Sequence, residues 1–320
     1  MIVFPLPLPL LPLSMASRSG GEPLVTLSRY RPDLMKPDAT ILFVGPRRTG
    51  KSTLVLDILY HLRQKIFAAI AQTPTEETAE ELGKVLPWSC VHNDFDPARL
   101  GSAVNAMKQL VGTERRLAHK QGREPERRIL LVLLDDCMAD TKNMKHKIIQ
   151  DIFYNGRHYD LLFINVQQYV MDMPSKLRTN IDIIVSTYDS APDSQERLWK
   201  YFFKSAFPSY ERFRKVYHAA TSNFKAIILD RTIQGVPEHK KIFWYKAQHP
   251  APVYRLGHKS QWIMHCKYLR SRAEELKGDI AFISETVRRL ADGNDDGSGA
   301  GSGAGAGDAE MGDELVVRNA

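Results

Sequence analysis

Residues 41–52 read Ile-Leu-Phe-Val-Gly-Pro-Arg-Arg-Thr-Gly-Lys-Ser, an apolar run that leads directly into a complete G-x-x-x-x-G-K-S loop. The run 41–44 is typical of a buried strand, and residues 52–64 have the apolar spacing of an amphipathic helix. A glycine-rich turn can match the loop pattern by chance, but the flanking strand and helix argue against that alternative. The stretch therefore predicts an α/β domain with a phosphate-binding loop between a strand and a helix.

The loop residues and the one after them are the predicted nucleotide contacts. The glycines let the backbone turn so that successive N–H groups converge on a phosphate at the positive end of a helix dipole. Lys51 is placed to reach the β- and γ-phosphates, and the Ser52 hydroxyl to hold Mg²⁺. We therefore expect ATP and Mg²⁺ as cofactors. The full set of predicted contacts is Gly45, Pro46, Arg47, Arg48, Thr49, Gly50, Lys51, Ser52 and Thr53.

A second motif predicts what happens to the nucleotide. The uninterrupted apolar run 129–134 suits a central parallel strand, and it ends in Asp135 and Asp136. Ligand sites of α/β sheets lie at the carboxyl ends of such strands. We expect Asp135 to be a partner of the Mg²⁺, and Asp136 to activate or position the attacking water. The simpler alternative is a strand followed by an acidic turn.

A third motif follows the next strand. The apolar run 161–166 ends in Gln167, Gln168 and Tyr169. An amide at the tip of a strand beside the acid-bearing one is placed to contact the γ-phosphate or the water, and so to report hydrolysis. We favour Gln167 as this sensor because it comes first after the strand. Gln168 as the sensor, and a solvated loop residue, remain the alternatives.

More specific segments accompany these motifs along the chain. They are Leu-Leu-Asp-Asp-Cys-Met at 133–138, Phe-Tyr-Asn-Gly-Arg-His-Tyr-Asp-Leu-Leu-Phe-Ile at 153–164, Gln-Gln-Tyr at 167–169 and Met-Pro-Ser-Lys-Leu-Arg-Thr-Asn-Ile-Asp at 173–182. Over roughly residues 38–235 the chain resembles the genome-packaging ATPase of poxviruses and other large nucleocytoplasmic DNA viruses, in the FtsK–HerA group. The resemblance implies a ring-forming homo-oligomeric motor that uses ATP to thread double-stranded DNA into a preformed capsid, with capsid proteins at the packaging vertex as partners.

The resemblance also gives Arg157 a role. In such rings a neighbouring subunit supplies an arginine that stabilises charge on the transferring phosphoryl group, and Arg157 is the implied finger. Because it follows a predicted helix and precedes the glutamine-bearing strand, we expect it near the nucleotide edge of the sheet. Arg178 is the rival candidate, and a surface arginine is the alternative for both. The chain departs from many relatives in carrying Asp135-Asp136 instead of Asp-Glu, and in doubling the glutamine.

The positive net charge of the chain is consistent with DNA binding. The net charge of +7 conceals an acidic C-terminus, because residues 291–320 hold seven acids and one arginine. A basic surface suits DNA phosphates, although a solvated basic face is the simpler explanation. The candidate clusters are Arg115-Arg116 with His119-Lys120, Arg123 and Arg127-Arg128, then Lys142–Lys147, Arg212–Lys215 and Lys267–Arg272.

Other function classes find little support. Three widely spaced cysteines, Cys90, Cys137 and Cys266, predict neither a disulfide framework nor a metal site, and a reducing compartment is expected. The apolar stretch 1–13 contains four prolines, which argues against a membrane span or a signal peptide, and Met15 is a plausible start. We expect the host-cell cytoplasm or a viral factory as the location, or association with the virion.

The predicted fold class is a P-loop NTPase of the RecA/ASCE-like type. It has a mainly parallel sheet with helices on both faces, a C-terminal helical appendage and a disordered tail. The predicted strands are 41–44, 66–71, 88–91, 129–134, 161–166, 181–186, 224–229 and an edge strand at 243–245. The predicted parts are a disordered or extended leader at 1–37, the ATPase domain at 38–250, a helical extension at 251–290 and a Gly/Ala/Asp-rich tail at 291–320.

Two other functions remain open from the residues alone. A P-loop kinase acting on a small molecule would need an arginine-rich lid and an acceptor pocket, and the second acid and the glutamine after the next strand argue against it. A nucleotide-dependent virion or replication scaffold with weak hydrolysis stays possible because Asp136 is shorter than the glutamate of many relatives.

Overall fold

The structure is a computed structural model that describes residues 26–138, 140–169, 173–249 and 252–271 of the 320-residue chain. The described part holds a single nine-stranded sheet. Its strands, in chain order, are β1 (Ser28–Arg29), β2 (Thr40–Val44), β3 (Ile66–Gln72), β4 (Val91–His92), β5 (Ile129–Asp135), β6 (Leu161–Gln167), β7 (Ile183–Thr187), β8 (Ala226–Asp230) and β9 (Ile242–Tyr245).

The α-helices of the described part connect these strands. They are α1 (Lys51–Leu62), α2 (Glu76–Gly83), α3 (Pro97–Gln121), α4 (Thr141–Met144), α5 (Lys147–Asn155), α6 (Ser175–Arg178), α7 (Pro192–Leu198), α8 (Tyr210–Thr221) and a last helix, α9, at 259–271. A π-helical turn, Trp199–Phe203, continues α7. The long α3 begins at Asp96, whose carboxylate accepts two backbone N–H groups, and ends at Gly122 in the left-handed conformation.

The sheet order is β1-β9-β8-β7-β2-β6-β5-β3-β4. The central strands β7, β2, β6, β5 and β3 all run parallel. The glutamine-bearing β6 therefore lies beside the acid-bearing β5, as predicted, and its other neighbour is the loop-bearing β2. Their carboxyl ends meet at one edge, here called the carboxyl edge, and the opposite one is the amino edge. β8 and β9 are reversed: β8 is antiparallel to β7, and β9 antiparallel to β8.

Helices cover both faces of the sheet, so the predicted fold class, a mainly parallel P-loop NTPase sheet, is confirmed. One apolar core combines the side chains of α1 and α2 with one face of the central strands. The other combines α3, α5 and α8 with the opposite face. Burial on both faces explains the continuous apolar runs of β2, β5 and β6.

The domain extends beyond the predicted limits. β1 pairs in parallel with β9, and Tyr30 and Met35 are buried in the core, although residues up to 37 were expected to be a leader. Tyr254 and Leu256 are buried in the same core, although a separate extension was expected from 251. Residues 1–25 and 272–320, with the expected tail, lie outside the described residues. Within the described ranges, no helix is long and apolar enough to cross a membrane.

Candidate functional site

The phosphate-binding loop is held closely against the end of β7. The side-chain oxygens of Thr49 and Thr187 lie 2.7 Å apart, and the Thr49 hydroxyl also lies 2.8 Å from the Pro46 carbonyl. Gly45 is required at the entrance, because a Cβ there would lie 1.9 Å from the Thr187 hydroxyl oxygen. Thr187 is thus a residue that the sequence motifs did not identify, and it fixes the curvature of the loop.

The loop passes into α1 at Gly50, which has a φ of 87°. This left-handed conformation suits glycine and turns the free N–H groups of the first helical turn towards the loop. The Lys51 ammonium folds over the loop and donates a hydrogen bond of 2.8 Å to the Pro46 carbonyl. Burial lowers the pKa of Lys51, while the carboxylates of Asp136 and Asp135 act to raise it. The lysine and both acids therefore lie close enough to influence one another electrostatically.

Asp135 is the last residue of β5 and is buried. The Thr73 hydroxyl donates to its carboxylate at 3.3 Å. Burial raises the pKa of the Asp135 carboxyl, and the neighbouring Asp136 carboxylate raises it further. Hydrogen bonds from Thr78 and Thr73 and the charge of Lys51 act in the opposite direction. A buried carboxylate next to a second carboxylate is a site that a cation would stabilise.

Mg²⁺ suits this donor set. Ser52, in the first turn of α1, and Asp135, at the end of β5, are both among the residues that line one small, mostly apolar cleft. Hydroxyl and carboxylate oxygens, together with phosphate oxygens of a nucleotide, are the ligands that Mg²⁺ prefers. When bound, the ion would neutralise charge on the phosphates.

Asp136 is set apart from Asp135 by its backbone. It has a φ of 53°, a left-handed conformation that is uncommon for a residue other than glycine. Its N–H still donates to the Val166 carbonyl at 3.0 Å, so the β5–β6 ladder continues through it. Asp136 is one of the residues that line a cavity of about 440 Å³, and the Gln168 amide donates to its carboxylate at 2.6 Å.

The two glutamines have different environments. Gln167 is 4 % exposed, and its side-chain Nε2 has no hydrogen-bond partner among the described residues. Its carbonyl accepts the Gly45 N–H at 3.2 Å, which links β6 to the phosphate loop. A buried amide without a partner carries a desolvation cost, so a ligand that accepts its N–H would stabilise it. Gln168 is instead bonded to Asp136, and the sensor role of Gln167 stays a prediction.

Several of the predicted site residues line the cavity that Asp136 lines. Arg47 of the loop, Asp136 after β5, and Gln167 and Gln168 at the end of β6 all line it, beside Tyr169. Pro74 and Thr75 close its other side. We refer to it below as the acid-side cavity.

Arg157 lies elsewhere, and its expected position near the nucleotide edge was wrong. It belongs to the 3₁₀ turn Gly156–Tyr159 that precedes β6, whereas the phosphate loop follows β2. Because β6 is parallel to β2, the two lie at opposite edges of the sheet, about 20 Å apart for a strand of this length. Arg157 is exposed there. Burial raises the pKa of the half-buried Asp182 carboxyl, and the charge of Arg157 acts in the opposite direction. A role in a neighbouring subunit stays a prediction.

Arg178, the rival candidate, is already engaged within its own subunit. Its guanidinium donates to the Met173 carbonyl and lies 4.1 Å from the centre of the Tyr201 ring. Its carbonyl accepts a hydrogen bond from Arg231, which follows β8 at the amino edge. Using Arg178 as a finger would break these contacts, whereas the Arg157 side chain is exposed. The role of either arginine in a neighbouring subunit stays a prediction.

Cys137 follows the acids but is a packing residue. Its thiol is buried and donates to the Gln72 carbonyl at 3.1 Å. Burial raises the pKa of the Cys137 thiol to about 12, so it stays protonated at neutral pH.

The comparisons with known proteins point to viruses. No family model matches the chain. An uncharacterized protein of Acanthamoeba polyphaga mimivirus is 27 % identical over 232 residues, which is 72 % of this chain and 80 % of the relative. An uncharacterized protein of Frog virus 3 is 26 % identical over 272 residues, 83 % of this chain and 79 % of the relative. The sequence relatives are thus uncharacterized proteins of large DNA viruses.

Among solved structures, the genome-packaging NTPase B204 of Sulfolobus turreted icosahedral virus 2, in complex with AMPPCP, is similar at 19 % identity. The similarity covers 67 % of this chain and all of that chain, with a TM-score of 0.44. A viral genome-packaging NTPase is therefore among the structural neighbours of this chain.

Proposed function

We propose that this chain is the ATP-hydrolysing subunit of a viral DNA-packaging motor, which translocates double-stranded DNA into a capsid. The subunit acts in a homo-oligomeric ring with Mg²⁺, and its partners are the DNA and capsid proteins at the packaging vertex. Its place is the host-cell cytoplasm or a viral factory, or the virion itself. The motifs that resemble packaging ATPases support the motor, and the geometry of the carboxyl edge supports the hydrolysis.

The observation that carries the hydrolysis is the acid-side cavity. Asp136 lines a space that is also lined by Gln167 and by Arg47 of the phosphate loop. The Gln168 amide donates a hydrogen bond to the Asp136 side chain and so orients it. A carboxylate held as an acceptor beside the phosphate loop is suited to take a proton from water or to orient it.

The structure also separates the basic clusters. The cluster around the end of α3 is largely used within the subunit: Arg123 bonds to Glu114, and Arg127 to Asp160. Lys142, Lys145 and Lys147 follow the acid-bearing strand, are exposed, and have no ion-pair partner among the described residues. Lysines that are free and close to the catalytic acids are the better candidates to grip DNA phosphates.

The test is ATP hydrolysis with and without long duplex DNA. Wild-type turnover should rise with DNA of any sequence, and DNA binding should weaken steeply with salt. Replacing Lys142 and Lys145 by Ala should remove most of the stimulation and lower the salt slope by about two, one for each lost phosphate contact. The matched control is Arg116→Ala with Lys120→Ala, an equal loss of charge from exposed positions near the end of α3.

Each other outcome indicates a different function. Phosphate transfer that requires a small-molecule acceptor and ignores DNA would indicate the kinase. Nucleotide binding with negligible turnover would indicate the scaffold. Salt-independent DNA binding, or a strong preference for one short sequence, would contradict the motor. An unchanged DNA response in the Lys142/Lys145 variant with a reduced one in the control would move the DNA contact to the α3 cluster.

The ring has its own test. Arg157→Ala subunits should bind ATP and assemble, yet turn over about 10³-fold or more slowly if a neighbour's site needs this arginine. Mixing them with inactive Lys51→Ala subunits should restore some activity, because an intact arginine then faces an intact loop at some interfaces. Size measurement with ATP and DNA should establish that the mixtures co-assemble. Absence of recovery in co-assembled rings would remove the role from Arg157.

A further inference from the structure

A second cavity lies on the other side of the phosphate loop. Because β8 is antiparallel to β7, its first residue, Ala226, pairs with Thr187 at the carboxyl edge. β9 returns to the same edge, where Tyr245 pairs with Ala226. The chain before β8 and the chain after β9 therefore both end beside the first turn of α1. Between them is a cavity of about 540 Å³, here called the aromatic-side cavity.

Phe224 forms one wall of this cavity in a strained conformation. It is 69 % exposed and has a φ of 58°, and Asn223 before it has a φ of 56°. Its ring lies 3.6 Å from the position of a Cβ on Gly50, so the ring stands directly beside the phosphate loop. Left-handed backbone at two successive non-glycine residues costs free energy, and here it holds a large apolar ring out of the core. Such an arrangement indicates a ligand rather than packing.

The opposite wall is fixed to α1. Asp57 is buried one turn after Thr53, and its carboxylate accepts hydrogen bonds from the Tyr245 hydroxyl and from the Gln248 N–H, the latter at 3.2 Å. Burial and the Asp57 carboxylate raise the pKa of the Tyr245 phenol, so the tyrosine remains a donor at neutral pH. Residues 246–248 are thus anchored to the helix that carries the loop, and the cavity has a preformed wall.

The two cavities lie on either side of the phosphate loop, and two successive arginines of the loop each line one of them. Arg47 lines the acid-side cavity, and Arg48 lines the aromatic-side cavity. A nucleotide whose γ-phosphate lies towards Asp136 must direct its nucleoside to the other side of the loop. We propose that the aromatic-side cavity binds the base of the nucleotide, stacked on Phe224. This inference rests on the proposed nucleotide site.

The walls also predict how the base is read. The polar side chains that line the cavity, Arg48, Thr53, Lys246, Gln248 and His249, are all exposed. Strong discrimination between similar ligands requires buried polar groups that the wrong ligand leaves unpaired. Stacking on an aromatic ring tolerates every base, because each has a π-face. The cavity therefore recognises a nucleoside triphosphate with weak preference between adenine and guanine.

The experiment measures binding of ATP, GTP and tripolyphosphate by calorimetry, with Mg²⁺ present, to the full chain. Phe224→Ala should weaken ATP and GTP about fivefold to hundredfold, the range for loss of base–aromatic stacking, and leave tripolyphosphate affinity unchanged. Phe224→Tyr should restore binding of both nucleotides, and Phe224→Leu, which keeps apolar bulk without an aromatic face, should not. Wild-type affinities for ATP and GTP should agree within about tenfold.

Several results would overturn the inference. Equal ATP affinity of Phe224→Ala and wild type would do so, as would an equal loss of tripolyphosphate binding, which would place the defect in the loop. Full restoration of nucleotide binding by Phe224→Leu would show that stacking on an aromatic ring is not needed. A preference of more than about a hundredfold for one purine would contradict readout through the π-face. If wild type binds neither ATP nor tripolyphosphate, the proposed nucleotide site fails as well, whereas ATP binding that ignores Phe224 leaves that site standing.

Discussion

The two edges of the sheet treat their polar groups differently. At the amino edge, several charged groups are hydrogen-bonded: Arg127 forms two hydrogen bonds of 2.7 and 3.0 Å with Asp160, and Asp182 accepts the Thr40 N–H at 2.9 Å. Arg231, also there, donates to two carbonyls. These contacts close the ends of parallel strands, which would otherwise bury unpaired groups.

At the carboxyl edge the same chain leaves polar groups incompletely satisfied. Asp135 and Asp136 are adjacent carboxylates, and the buried Gln167 Nε2 lacks a partner among the described residues. Unsatisfied polar groups reduce stability, and they persist where a ligand completes them. The contrast teaches that one edge stabilises the fold and the other is prepared for nucleotide. The predictions below test that division.

The largest effect is expected at the loop lysine. Lys51→Ala should abolish nucleotide turnover, because Lys51 is the cation folded over the loop. Phosphate release checks this, and thermal unfolding should show an intact fold. The matched control is Lys65→Ala at the amino end of β3, whose ammonium also donates to a backbone carbonyl, that of Asp33. If Lys65→Ala lost activity and Lys51→Ala did not, the amino edge and not the carboxyl edge would hold the nucleotide site.

Asp136→Asn should cut hydrolysis by about a hundredfold or more, the scale of a general base, while ATP binding stays nearly intact. Asn also tolerates the left-handed backbone, so the change removes charge rather than conformation. Single-turnover hydrolysis and nucleotide titration separate the two effects. Normal turnover in this variant would mean that another group activates the water.

Gln168→Ala should lower turnover by about tenfold or more, because a hydrogen bond to a charged group contributes about 1.5–3 kcal/mol and here positions Asp136. Gln167→Ala should instead uncouple DNA stimulation from basal turnover, as expected for a sensor. Unchanged turnover in Gln168→Ala would show that this hydrogen bond does not position Asp136 for catalysis.

At the amino edge, Asp160→Asn should lower the free energy of unfolding by about 1.5–3 kcal/mol, because it weakens charge-assisted bonds from Arg127. Asn keeps the left-handed conformation that Asp160 adopts at a φ of 54°. Denaturant titration measures the stability, and turnover per folded molecule should match wild type. A large loss of turnover with unchanged stability would break the division between the edges.

The smallest expected effect is a gain in the free energy of unfolding instead of a loss. Because the pKa of Asp135 is raised in the folded protein, its ionisation costs stability as pH rises from its unfolded pKa through its folded one. Asp135→Asn should therefore stabilise the protein by about 0.5–2 kcal/mol at neutral pH in the absence of nucleotide and metal, as for other functional residues. The gain should vanish at about pH 3, where both side chains are neutral. A destabilised variant at neutral pH would place Asp135 among the structural residues.

The sequence by itself determined what is local in the chain. The strand, loop and helix of residues 41–62, the acids after β5 and the glutamines after β6 are contiguous motifs, and their meeting at one edge follows from parallel strands joined by helices. The adjacency of β5 and β6 was expected as well, because consecutive parallel strands are usually neighbours. The place of β2 beside β6 was not, since it depends on pairing between residues that are distant in the sequence.

Only the tertiary structure decided what depends on strand direction and long-range contact. An apolar run such as 226–230 has the same pattern whether it runs parallel or antiparallel, so the reversal of β8, which brings Phe224 to the loop, was invisible. The prediction placed Arg157 at the wrong edge of the sheet. Arg157 precedes β6 and the phosphate loop follows the parallel β2, so the two lie at opposite edges. Thr187 and Asp57 carry no motif, since their roles come from partners 138 and 188 residues away in sequence.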